Sequence, residues 1–259
     1  MKNIYWIIAA CTMMSACEGG GGSDSVPSFD LVTTDSNFDE DDIVNRTFSG
    51  PAVTLRNGET ETVVGSVTVS SALSATIVVG DEQSVLSNFG GESFGSVTGE
   101  SLSIGTRLTG GPVTEDVLYF FTTDSPAPSL AGPRLGIFVD GNDTLISNLP
   151  TGNVNYTGVA ISFDPAFSTQ SGTVSLDVDF GDSSLDGTLV GINPADLSIS
   201  YDVDGTAVNG TLIGEIDGVD DASGSLTGQI YGSDGDQAAG TFLIETTDTD
   251  LIGVFSATD

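Results

Sequence analysis

Val174-Ser175-Leu176-Asp177-Val178-Asp179-Phe180 alternates apolar and polar residues at every step, and a period of two puts the apolar set on one face of a β-strand. Leu197, Ile199, Tyr201 and Val203 alternate in the same way with Ser198, Ser200 and Asp202. Outward from these two segments, Gly and Asp turns delimit further candidate strands at Tyr156–Phe163, Leu185–Val190, Val208–Ile216, Gly224–Tyr231, Gly240–Glu245 and Leu251–Ala257. That makes eight, the number at which an up-and-down barrel fills its interior with side chains or holds one small ligand. Gly158, Gly187, Gly210, Gly228 and Gly253 fall inside these strands, where glycine is tolerated when a sheet must bend sharply to close. Residues 150–259 are therefore expected to form an eight-stranded antiparallel up-and-down β-barrel.

Residues 46–149 carry β-like runs at Glu61–Val69, Ala75–Val79, Val117–Phe121 and Leu135–Val139, rich in β-branched and aromatic residues. Turn-forming stretches such as Gly90-Gly91, Gly110-Gly111-Pro112 and Asp140-Gly141-Asn142-Asp143 separate them. Alternation is less regular here, which predicts an irregular antiparallel β domain with long loops. Upstream, residues 17–45 are Gly-rich and then acidic, with Asp39-Glu40-Asp41-Asp42 and no periodicity, and read as a tether.

The first sixteen residues have the layout of a secretory signal: Lys2, then the apolar run Ile4–Ala10, then small residues at Ser15 and Ala16. This run is too short to span a bilayer. Met14-Ser15-Ala16-Cys17 resembles the lipobox of bacterial lipoproteins, which implies a signal peptide over 1–16 and lipid attachment at Cys17. Ile8-Ala9-Ala10-Cys11 fits the same pattern but leaves a very short apolar region. More than one acyl chain makes a stable anchor. Cys17 is followed by Glu18 and Gly19-Gly20-Gly21-Gly22-Ser23, a flexible spacer. By lipoprotein analogy, the lack of an aspartate directly after the cysteine permits sorting to the outer membrane.

Charge and missing residue types narrow the function. The chain has 37 acidic against 5 basic residues, a net charge of −32, and no histidine. Without a basic patch it has no electrostatic footprint for nucleic acid, and the membrane is reached through the lipid anchor only. Such a charge favours solubility and a monomer. With no His, no Lys beyond Lys2 and no thiol beyond Cys11 and Cys17, acid-base, triad and thiol chemistries lose their usual residues. Only a glycosidase-like carboxylate pair stays open among enzymes. No catalytic residue, cofactor-binding residue, metal ligand or cofactor is assigned. Asp202-Val203-Asp204-Gly205 and Asp217-Gly218-Val219-Asp220-Asp221 contain fragments of calcium loops but do not complete the pattern ending in Glu, and Asp-Gly reads first as a hairpin turn. Tyr119, Tyr156, Tyr201 and Tyr231 are the residues open to haem ligation, against a structural role.

The C-terminal half resembles the β-barrel domain of the transferrin-binding protein B family, surface lipoproteins of Gram-negative bacteria. The resemblance is carried by Pro150-Thr151-Gly152-Asn153-Val154-Asn155-Tyr156-Thr157-Gly158, by Val178-Asp179-Phe180-Gly181 with Leu185-Asp186-Gly187-Thr188-Leu189, and by Gly224-Ser225-Leu226-Thr227-Gly228-Gln229-Ile230-Tyr231-Gly232. Ala239-Gly240-Thr241-Phe242 and Ile252-Gly253-Val254-Phe255 follow in order. The family places an irregular β "handle" before its barrel and an acylated, glycine-rich tether before both, so residues 46–149 take the handle-like position. Ser256-Ala257-Thr258-Asp259 replaces the family's usual Gly-rich basic tail. The resemblance implies an outer-membrane, lipid-anchored binding protein for a protein or small solute, with a role in nutrient (iron) acquisition. A structural or protective acidic envelope lipoprotein without a specific ligand is the alternative.

Overall fold

A computed structural model describes residues 44–259 apart from 57–58, 71–73, 81, 91–92, 96–100, 106–107, 109, 112–115, 125–133, 166–167, 193–196, 205, 217–218 and 248. The described chain is all-β, with one short 3-10 turn at Ile146–Asn148. Its sixteen strands pair antiparallel with their sequence neighbours and form two closed rings of eight.

The first ring runs through β1 (Thr47–Arg56), β2 (Glu59–Val69), β3 (Ser74–Val79), β4 (Glu82–Gly90), β5 (Ser93–Gly95), β6 (Ser101–Gly105), β7 (Val117–Asp124) and β8 (Arg134–Gly141). It closes where β1 meets β8, with Ala52 opposite Phe138 and Arg56 opposite Arg134. The handle-like region is thus itself a closed antiparallel ring. Its interior holds Phe48, Val67, Leu86, Leu102, Phe120 and Phe138 among others. The rings of Phe120 and Phe138 stack at 4.3 Å, and Phe48 tilts against Phe120 at 5.2 Å. Gly65 of β2 makes room for this stack, since a Cβ there would lie 2.9 Å from the Phe138 ring and 3.0 Å from the Ala52 methyl.

The second ring comprises β9 (Asn153–Phe163), β10 (Thr169–Asp179), β11 (Ser184–Val190), β12 (Leu197–Asp204), β13 (Ala207–Ile216), β14 (Val219–Tyr231), β15 (Gln237–Thr246) and β16 (Leu251–Thr258). Each of the eight segments read from the sequence lies on one of these strands, except that Phe180 falls one residue past the end of β10. Closure runs through β16 and β9, with Val254 opposite Ile161 and Ala257 opposite Gly158. Val174, Leu176 and Val178 face inward with Tyr156, Leu185, Leu212, Leu226, Phe242 and Phe255, as the alternation requires. Gly253 works as Gly65 does: a side chain there would run into the Phe242 ring and the Ile161 carbonyl.

A third apolar cluster joins the two rings. It takes the outward residues Val53, Leu55, Val117, Tyr119, Phe121, Leu135, Ile137 and Val139 from β1, β7 and β8. Against them lie Phe163, Tyr231, Ala239, Ile252 and Val254 from the second barrel, and Phe121 meets Phe163 edge-on at 6.2 Å. Each barrel therefore turns the strands of its own closure toward the other. This explains why Val117–Phe121 and Leu135–Val139 do not alternate: these strands are buried on both faces, one by their own barrel and one by its neighbour.

Candidate functional site

Between the barrels the chain crosses as a stitched strap, not a free linker. Asn142 N donates to the Asp116 carbonyl at 2.8 Å, Gly232 N to the Asn142 carbonyl at 3.0 Å, and Asp143 forms a single β-bridge with Tyr231. Thr144, 4 % exposed, donates its hydroxyl to the Gly232 carbonyl at 2.8 Å, and Asn148 Nδ2 reaches the Ser233 carbonyl at 3.1 Å. Leu149 then packs against the interior of the second barrel. Asp116 N donates to Gln237 Oε1 across the junction at 3.4 Å, and at the far end Thr60 Oγ1 donates to Asp250 Oδ2 at 3.2 Å.

A cleft of about 60 Å³ opens beside this strap, lined by Ser49, Asp140, Thr227, Gln229, Tyr231 and Gly240 among others. It forms because the β1–β8 ladder stops at Ala52 and Phe138; beyond that point Asp140 takes over as acceptor. Its Oδ2 accepts the Ser49 N–H at 2.6 Å and its Oδ1 the Gly141 N–H at 2.7 Å. Gln229 Nε2 donates to Asp143 Oδ1, tying the strap's carboxylate to β14. Arg46 lies over the Phe48 ring at 5.0 Å and bears on Asp140 from the first barrel.

The electrostatics of the junction are those of crowded, desolvated acids. Burial pushes the Asp140 carboxyl up; the Ser49 and Gly141 N–H groups and Arg46 oppose the shift, and Asp143 adds to it. Asp143 is raised by partial burial. Asp236 is raised by burial and by the charges of Asp259, Asp116 and Asp234 around the β14–β15 turn. Tyr231 is pushed well above the ordinary phenol value by burial, then by the charges of Asp140 and Asp143. It is a neutral donor at physiological pH.

A pH dependence follows. A carboxyl whose folded pKa exceeds its unfolded value of 3.8 binds more protons in the native state over the interval between the two. Stability then rises as the pH falls through that interval, and is lost as the pH climbs above it. Thermal denaturation is expected at a higher temperature near about pH 4.5 than at about pH 7, with Asp140→Asn flattening the difference. An identical pH profile for that variant would show that Asp140 does not contribute.

The residues singled out from the sequence fall as follows. Tyr156 points into the second barrel and donates its hydroxyl to the Gly235 carbonyl at 2.6 Å, a structural bond. Burial is the main cause of its raised pKa, with the charges of Asp259 and Asp236 adding. Tyr119 and Tyr231 lie in the inter-barrel cluster. Tyr201 is paired by backbone register with Leu185. The two calcium-loop fragments lie at tight hairpins: Asp204 pairs with Ala207, and Ile216 with Val219. Among the described residues no group of three or more His, Cys, Asp or Glu side chains is placed to hold a metal ion. Cys17, the signal segment and the acidic run Asp39–Asp42 lie outside the described residues. Missed from the sequence was the cleft, whose polar residues come from both barrels. The one local signal was the carboxylate of Asp140 at the end of an apolar strand, where only a turn was read.

Comparison with known proteins agrees with this architecture. Residues 149–259 match the family described as the C-lobe and N-lobe beta barrels of Tf-binding protein B. Among solved structures, intact Ap-TbpB, with its N and C lobes, is 15 % identical, with 82 % of this chain covered, 46 % of that chain and a TM-score of 0.51. The isotype 1 transferrin-binding protein B of serogroup B Neisseria meningitidis is 12 % identical, covering 82 % and 43 %, with a TM-score of 0.51. A point mutant of the Haemophilus parasuis Hp5 protein is 14 % identical, covering 82 % and 45 %, with a TM-score of 0.50. The chain spans a little under half the length of these relatives, and at such identities the likeness is one of fold. A search of curated protein sequences finds no match. The strand order, the closure through β9 and β16 and the sequence match fall on the same residues: the C-terminal barrel, 149–259, is similar to the β-barrels of the transferrin-binding protein B family.

Proposed function

We propose that the chain is a binding protein of the cell envelope, lipid-anchored through Cys17 at the outer membrane, that presents its paired barrels to a protein or small-solute ligand in nutrient acquisition, iron first among the nutrients. The observation that carries this reading is the family match of residues 149–259, a barrel shared with proteins named for binding transferrin. Its supports are a packed pair of barrels, which holds loops from both at fixed spacing, and a residue composition without histidine that suits binding better than catalysis. In this reading residues 1–16 are the signal, 17–45 the tether, 46–149 the handle-like unit and 150–259 the barrel.

The test uses mature protein purified with its native N-terminus. Mass spectrometry should find acyl chains on Cys17. Surface-binding assays against iron-carrier proteins, haem and iron chelates, repeated across salt and calcium concentrations, should return one saturable partner. No partner under any condition overturns the binding reading. The acidity of the chain would then favour the second reading, a protective envelope lipoprotein, identified by a deletion strain with weakened envelope integrity and normal nutrient uptake.

A further inference from the structure

We propose that the cleft between the two barrels is a subsite for the head of an organic cation, of which an arginine guanidinium is the best fit. Its walls are acceptors. Asp140 keeps lone pairs beyond the two backbone N–H groups it takes, and Thr227 adds a hydroxyl. Gln229 spends its Nε2 on Asp143, which leaves Gln229 Oε1 as an acceptor. Tyr231 lines the cleft while only 4 % exposed and adds a phenol to its wall. Asp140 and Asp143 both bear on that phenol, which places it in a field of negative charge.

The chemistry selects among cations. The described residues offer no set of metal-type ligands, so the occupant brings its own donors. A guanidinium presents five N–H donors in a plane, pairs with a carboxylate through two parallel bonds, and is weakly hydrated enough to enter a narrow site. The cleft, about 60 Å³, holds a few water molecules that such a head would displace. Arg46 rests over the Phe48 ring on the first-barrel side and also bears on Asp140, so the occupant shares that carboxylate with a guanidinium of the chain itself. This subsite goes beyond the binding role proposed above, and its occupancy is measured without reference to any larger partner.

The experiment titrates methylguanidine into the full mature chain while recording amide resonances by two-dimensional NMR, with N-methylurea as the neutral comparator of similar shape. Saturable shifts are expected at the amides of Gly50, Gly141, Gly228 and Gly240 with methylguanidine and not with N-methylurea. Asp140→Asn should weaken the interaction by about tenfold or more, as the loss of a charge-assisted hydrogen bond implies. Tyr231→Phe, which keeps the packing, should weaken it less while leaving the charge preference intact. No saturable shift at these amides in the wild-type chain overturns the proposal, as do equal shifts with N-methylurea. Unchanged affinity in a folded Asp140→Asn chain does so as well.

Discussion

Replacing Phe120 by Ala is expected to lower the unfolding free energy by about 3–5 kcal/mol, the range for deleting a fully buried aromatic side chain. Phe120 is wholly inaccessible, stacked on Phe138 and tilted against Phe48. The aromatic contacts add to the area term by about 0.5–1.5 kcal/mol per pair. Collapse around the void is resisted because Phe120 sits on β7, hydrogen-bonded on both sides to β6 and β8 in a closed ring. Urea denaturation measures the loss. Val85→Ala, at a residue 62 % exposed, serves as control and should stay within about 0.5 kcal/mol of the parent. A Phe120→Ala cost no larger than that control would mean the first barrel is not held together by its aromatic centre.

A second large effect is expected at the contact between barrels. Ile252 points outward from β16 and is completely buried by the first barrel. Ile252→Asp would place a carboxylate among Ile137, Phe121 and their neighbours, a cost of several kcal/mol unless the barrels part. The interior of the second barrel takes nothing from this side chain, so the ring itself should survive. In calorimetry the wild-type chain is expected to unfold in one transition and the variant in two. Proteolysis should turn to the strap between Asn142 and Gly152 in the variant. A single transition and an uncut strap would show that the barrels do not depend on this face.

The two barrels were unequally legible in the sequence for a physical reason. Most strands of the second have one wet and one dry face, so hydrophobicity is written with a period of two and the turns stand out as Gly and Asp. In the first, β7 and β8 are dry on both sides, and their continuous apolar runs look irregular when a single buried face is assumed. That irregularity was the signature of the inter-barrel contact. Other strands carry weak sequence signals for local reasons: β1 contains Pro51, which lies one residue beyond the end of the β1–β8 pairing, and β5 has only three residues. The cleft was less accessible still. Ser49 and Asp140 are 91 residues apart, and Asp143 and Gln229 86, separations at which no local spacing rule operates.

Because both rings close on themselves, the described strands offer no unpaired rim of backbone N–H and C=O groups on which another chain could grow a continuous sheet. Copies crowded together would meet through side chains alone, under strong mutual repulsion from their carboxylates. That disfavours fibrous aggregation, and it leaves contacts with other molecules to be decided by shape and charge at loops and junctions.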